Sequence, residues 1–108
     1  DVNGAPYPKW QKEPFNNNWA CSVIASQDPL AADAVGMDMI IGEWPEFGSL
    51  NYCDEYLHEA ASIPNAPSGT VYMVDGKPLA EPLGLMEHWN NAKDRHYEAI
   101  DLVYHKVE

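Results

Sequence analysis

The feature that most constrains this chain is the run Ser26-Gln27-Asp28-Pro29. An aspartate followed at once by proline is a helix start. The carboxylate can accept N–H bonds from the first turn, and proline at the first helical position lacks an N–H that would have no partner there. The residues that follow predict a helix from Pro29 to about Ile41, with Gly42 as its stop and Pro45 shortly beyond. A second helix is predicted from just after Ser49 or Asn51 to about Ser62. Tyr52, Cys53, Tyr56, Leu57, Ala60 and Ala61 form its apolar side, and Pro64 bars continuation.

The remaining segments read as strands and loops. Trp19 to Ala25 is short, apolar and bounded by polar stretches, which suits a buried strand. Thr70 to Val74 reads as a strand ending in the turn dipeptide Asp75-Gly76, with Lys77 to Leu79 as a short returning arm. Ala99 to Val107 alternates apolar and polar residues as a half-exposed strand does. Pro64 to Gly69 is a loop, and Leu83 to Tyr97 is a loop with a short helical turn. Residues 1–18 carry Pro6, Pro8 and Pro14, the aromatics Tyr7, Trp10 and Phe15, and the run Asn16-Asn17-Asn18 without periodicity. They predict an extended arm whose aromatics lie against the body of a larger protein. The expected architecture is α/β, or α+β: one domain with a small mixed sheet of three to four strands covered by two helices, itself part of a larger domain.

Composition excludes several functions. The 108 residues hold 6 Lys and Arg against 17 Asp and Glu, a formal charge of −11. Phosphate-tracking surfaces are built from Lys and Arg, so nucleic acid and anionic membrane are poor partners. No apolar run has the roughly 20 residues that cross a bilayer, and the N-terminus lacks the basic-then-apolar pattern of a secretion signal. The first residue is not methionine, so the sequence reads as a processed or excised piece. Cys21 and Cys53 are too few for a four-cysteine iron–sulfur or zinc motif; they pair in one disulfide or serve as small buried hydrophobes.

Candidate chemistry begins with Asp33, which a helical wheel places within a stripe of Leu30, Met37, Ile40 and Ile41. A carboxylate there must be hydrogen-bonded, bound to a cation or protonated. It either ties the helix to backbone N–H groups of a neighbouring loop, such as the Asn-rich arm, or serves a ligand or metal. Asp28 is explained by its capping role. His58, His88, His96 and His105 have no tight metal spacing, so a site among them needs tertiary convergence. Asp54 and His58, four apart on the second helix, suit a solvated helix-face pair. Glu87-His88-Trp89-Asn90-Asn91 packs an acid, an imidazole, an indole and two amides together, as a polar pocket does or as a loop that satisfies its own backbone does.

The stretches PFNNNWACSVIASQDPLAADAVGMDMI, NYCDEYLHEAA, PSGTVY and LGLMEHWNNAKDRHYEAIDLVYH together resemble the C-terminal part of the bacterial and archaeal family called domain of unknown function 362. The most specific pieces are Ser-x-Asp-Pro-x-Ala-x-Asp at Ser26 to Asp33 and the run Glu87 to Asn91. The resemblance implies a longer chain with an N-terminal portion preceding this one, and a redox-linked or extracytoplasmic setting. It places Asp28, Asp33, His88, Trp89, Asn90 and Asn91 in the family's motifs and assigns none of them a catalytic role. Cys21 stands where Ser or another small residue is expected.

Two readings follow. In one, Asp28, Asp33, His88, Asn90 and Asn91 line a ligand- or metal-binding cleft, with Asp33 and His88 as metal candidates, completed by the N-terminal portion. In the other, those residues cap and satisfy loops in a non-catalytic scaffold that binds a partner, and an open strand edge is covered by that portion or by self-association.

Overall fold

The computed structural model describes residues 9–48 and 52–106. Pro6, Tyr7 and Pro8 of the predicted arm, the Ser49 or Asn51 start of the second helix and Val107 lie outside the described residues. Two helices and one two-stranded antiparallel sheet stand among the described residues, and most of the rest is coil. The radius of gyration is 16.2 Å, against about 13 Å for a compact domain of this length.

Helix α1 runs Pro29–Glu43. Asp28 caps it as its sequence predicts, with Oδ1 accepting from Ala31 N at 3.0 Å, a contact of the kind that contributes about 1 kcal/mol. The helix does not stop at Gly42. It continues to Glu43 and closes through the N–H of Trp44, which donates to the Ile40 carbonyl, before a short 3-10 turn at Pro45–Phe47. Gly42 serves close approach instead, since a Cβ there would stand 3.2 Å from the Trp89 ring. Helix α2 spans Cys53–Ala61. Only Leu57 of its predicted apolar side is buried, whereas Tyr52 and Tyr56 are exposed; the coil that follows instead meets α2 at Glu59 and Ala60, through Ser68, Tyr72 and Leu83.

Strands β1, Met73–Val74, and β2, Lys77–Pro78, pair as Met73 with Pro78 and Val74 with Lys77. Asp75 and Gly76 both have positive φ, 51° and 76°, the geometry of the two-residue turn that matches strand twist. The predicted hairpin therefore forms, shorter than its hydrophobic pattern extends.

The three-to-four-stranded sheet does not form among the described residues. Trp19–Ala25 and the described part of 99–106 take no strand conformation, and residues 21–27 are exposed throughout rather than buried. Both segments instead line an open groove of about 1120 Å³ over Ala31, Val35 and Met39 of α1. Isolated apolar segments gain little from extended structure unless another strand supplies the ladder.

The core consists of Ala31, Ala34, Val35 and Met39 of α1 with Tyr97 and Ile100, flanked by Trp10, Phe15, Met86, Trp89 and Leu102. The described part of the arm is not extended. Trp10 and Asn18 exchange main-chain hydrogen bonds at 2.9 and 3.0 Å, folding residues 10–18 back so that Trp10 packs on Phe15 and Trp44.

Carboxylates organise the coil in place of a sheet. Glu43, buried at the end of α1, accepts from Gln11 N at 2.6 Å and Lys12 N at 2.8 Å and so holds the arm. The second oxygen of Asp28 accepts from Leu85 N at 2.8 Å. Glu87 accepts from the N–H groups of Glu98, Ala99 and Ile100 at 3.0, 2.7 and 2.6 Å. Its partial burial opposes ionisation, but the three amides prevail and hold its carboxyl below the usual range. Charge-assisted bonds of this type are worth roughly 1.5–3 kcal/mol each.

Candidate metal centre

The buried carboxylate of α1 is Asp38, not Asp33. Asp33 is exposed, and α1 is apolar on nearly every side, so periodicity does not select its inner face. The small residues Ala31 and Ala34 select it, because they admit the coil of residues 84–102 closest to the helix axis. Asp38 lies on that face. Its Oδ2 accepts from Trp89 N at 2.9 Å and from the Tyr97 hydroxyl at 2.8 Å, while Oδ1 lies 2.8 Å from His88 Nδ1. Burial, and then the hydrogen bond to Asp38, push the Tyr97 phenol far above its ordinary value, so the hydroxyl keeps its proton and remains a donor.

His88 reaches from that anchor to α2. Its Nε2 lies 2.6 Å from Asp54 Oδ1, and Nε2 of His58 lies 3.3 Å from the same oxygen. The His58 and His88 ring centroids are 5.7 Å apart. Asp54 and His58 share one helix face because they are four residues apart. One ligand atom each of Asp54, His58 and His88 falls within 4.8 Å of the other two, so these three groups form a cluster of metal-ligating type. Burial disfavours the charged imidazole of His88, yet the hydrogen bonds and charges of Asp38 and Asp54 outweigh it and raise its pKa. His88 thus bridges two carboxylates, and both favour its protonated form.

The residues singled out from sequence separate into different places. His88 belongs to the cluster. Asp28 ties the start of α1 to Leu85. The Asp33 side chain makes no hydrogen bond among the described residues. Asn90 and Asn91 organise their own loop: Asn90 Oδ1 accepts from Asn91 N and His96 N at 2.8 and 2.9 Å, and Asn91 Oδ1 from Lys93 N and Asp94 N at 3.0 and 2.7 Å. The single helical turn expected in this loop is present as the bond from Arg95 N to the Asn91 carbonyl at 2.9 Å. Cys21 and Cys53 are both free thiols, Cys21 exposed and Cys53 half-buried. Asp54 and His58 read from sequence as a solvated pair, and only their meeting with His88 makes them a site. Asp38 and Tyr97 carry no local signal that marks them.

Among the described residues, no helix is long and apolar enough to cross a membrane. Comparisons with protein-family models, with curated proteins and with solved structures found no match to this chain. The family resemblance drawn from sequence therefore rests on the quoted segments alone.

Proposed function

We propose that this chain binds a divalent transition-metal ion between α2 and the 84–97 coil, with Asp54, His58 and His88 as its ligands. The observation that carries this reading is the second contact of His88. A metal-ligating imidazole typically gives its other ring nitrogen to a carboxylate, which fixes the tautomer and turns the ring toward the ion, and Asp38 stands 2.8 Å from Nδ1. Two imidazoles and one carboxylate suit zinc or ferrous iron, whereas calcium and magnesium prefer oxygen-only sites. A redox-linked role, as the family resemblance implies, would require the iron form.

Metal–ligand bonds of about 2.0–2.1 Å in tetrahedral array put ligand atoms roughly 3.3 Å apart. The His58–Asp54 separation of 3.3 Å already meets that value, and the 2.6 Å His88–Asp54 contact opens by less than an ångström once its bridging proton leaves. Three protein ligands leave a further position open. The imidazole rings stay half exposed, so that position is accessible to water or to a ligand.

A second reading is supported by the short His88–Asp54 contact itself: the cluster is an ionic clasp that fastens α2 to α1 through the imidazolium. Titration of the protein with zinc and with cobalt as a spectroscopic stand-in separates the two. The metal reading expects one ion per chain, the visible absorption of cobalt in a low-coordinate nitrogen–oxygen site, and loss of binding in His58→Ala with the fold intact. Absence of stoichiometric binding, or binding indifferent to His58→Ala, leaves the clasp.

A further inference from the structure

We infer that an ion held by Asp54, His58 and His88 acts as a latch, whose occupancy decides whether residues 52–83 stay docked on α1. The inference rests on the metal reading and adds what binding controls. Residues 52–83 are tied together from within. Glu59 of α2 accepts from Ser68 N at 3.0 Å and from the Tyr72 hydroxyl. Leu79 N donates to the Tyr72 carbonyl at 2.8 Å, and Leu83 N to the Ala60 carbonyl at 3.1 Å. Helix, hairpin and returning chain therefore form one unit.

That unit meets the rest of the molecule at few points. Among the described residues, the 2.6 Å contact of His88 Nε2 with Asp54 Oδ1 is the one hydrogen bond or ion pair that crosses from 52–83 to any other segment. The core cluster around Ala34, Val35 and Tyr97 includes no residue of the unit. A half-exposed ion pair adds little to docking, since solvent screens it. The three ligands divide across this joint. Asp54 and His58 come from the unit, and His88 comes from the coil that covers α1, where Asp38 holds its Nδ1 at 2.8 Å. Asp38 is itself fixed by Trp89 N and the buried Tyr97. An ion taking all three ligands thus fastens the unit to the core through His88 and Asp38, whereas a released unit offers it only the pair on α2. The ion binds the docked arrangement more tightly and so must favour it. The shape of the chain then reports whether metal is bound.

Double electron–electron resonance tests this, with spin labels at Lys77→Cys on the unit and Ala99→Cys on the body, both exposed positions, in a Cys21→Ser, Cys53→Ser background. Calorimetry with zinc on the same labelled protein reads binding separately. The expected result is one zinc per chain, a broad label-to-label distance distribution in chelator, and its collapse to a single narrow peak with zinc. In His88→Ala the α2 pair remains but the link to the core is lost, so the distribution stays broad with zinc present. Asp38 keeps Trp89 and Tyr97 in that variant, and circular dichroism checks that its helices are intact. Zinc binding that leaves the distribution unchanged, or narrowing that survives His88→Ala, overturns the latch and leaves the metal site standing. Failure to bind zinc removes both.

Discussion

Two coil segments flank α1, and they differ in how their main chains are satisfied. Residues 84–100 are held at short intervals by side-chain oxygens: Asp28 at Leu85, Asp38 at Trp89, Asn90 and Asn91 within their loop, and Glu87 at Glu98, Ala99 and Ile100. Residues 19–27, richer in apolar side chains, have Asn18 Oδ1 at Trp19 N and little else. The first segment buries Tyr97 and Ile100 in the core, and the second leaves Val23 in solvent. Coil can therefore be as well ordered as a sheet when carboxylates supply the acceptors. Without them, apolar character alone does not seat a segment.

The comparison breaks most sharply at Asp38. Asp38→Ala removes one acceptor from Trp89 N, the Tyr97 hydroxyl and His88 together. The expected loss is about 3–5 kcal/mol of unfolding free energy in urea. Asp33→Ala, five residues earlier and exposed, should cost less than about 0.5 kcal/mol in the same measurement. Equal effects would mean that the clasp does not hold the coil.

That pair also marks where the sequence was legible. The Asp28-Pro29 start and the Asp75-Gly76 turn are local devices whose chemistry lies within a few residues, and both appear in the structure. The choice between Asp33 and Asp38 is not local. It depends on which flank of an almost uniformly apolar helix receives Trp89 and Tyr97, and those partners are 51 and 59 residues away. The His88 cluster was half visible: the Asp54–His58 spacing and the dense Glu87–Asn91 run could each be read, but their meeting is a tertiary fact. The missing strands have the same cause, since a strand pattern specifies an extended segment and not the neighbour that completes it.

A smaller effect is expected at Gly84. A Cβ there would lie 2.9 Å from the Leu30 Cβ and well inside contact distance of the Asp28 carboxylate. Gly84→Ala should therefore lift the 84–100 segment off the start of α1, at about 1–3 kcal/mol. Faster amide hydrogen exchange at Leu85 than at Ala99 would locate the damage at that end. Uniform loosening would show that the segment docks as one block.

The mildest probe is pH. Glu87 has a lowered pKa in the folded chain, so its contribution is present above the unfolded value near 4.5 and is lost as pH falls through the folded value. The unaltered protein should lose stability over that acid range. Glu87→Gln should be less stable at neutral pH and flatter below it, as read from urea midpoints at successive pH values. Parallel curves for the two proteins would remove Glu87 from the account of how this segment is held.

The distance along the chain between α1 and its cover has a consequence for how the molecule is made. The Asp38–Tyr97 bond closes a loop of 59 residues, and closing a loop of that length costs entropy before any contact rewards it. A ribosome finishes Ala31, Ala34 and Val35 long before it delivers Tyr97 and Ile100, so the newborn helix waits with its inner face bare. Assembly of this core accordingly waits for Tyr97 and Ile100, and the interval before they emerge is when the helix is most open to binding by chaperones.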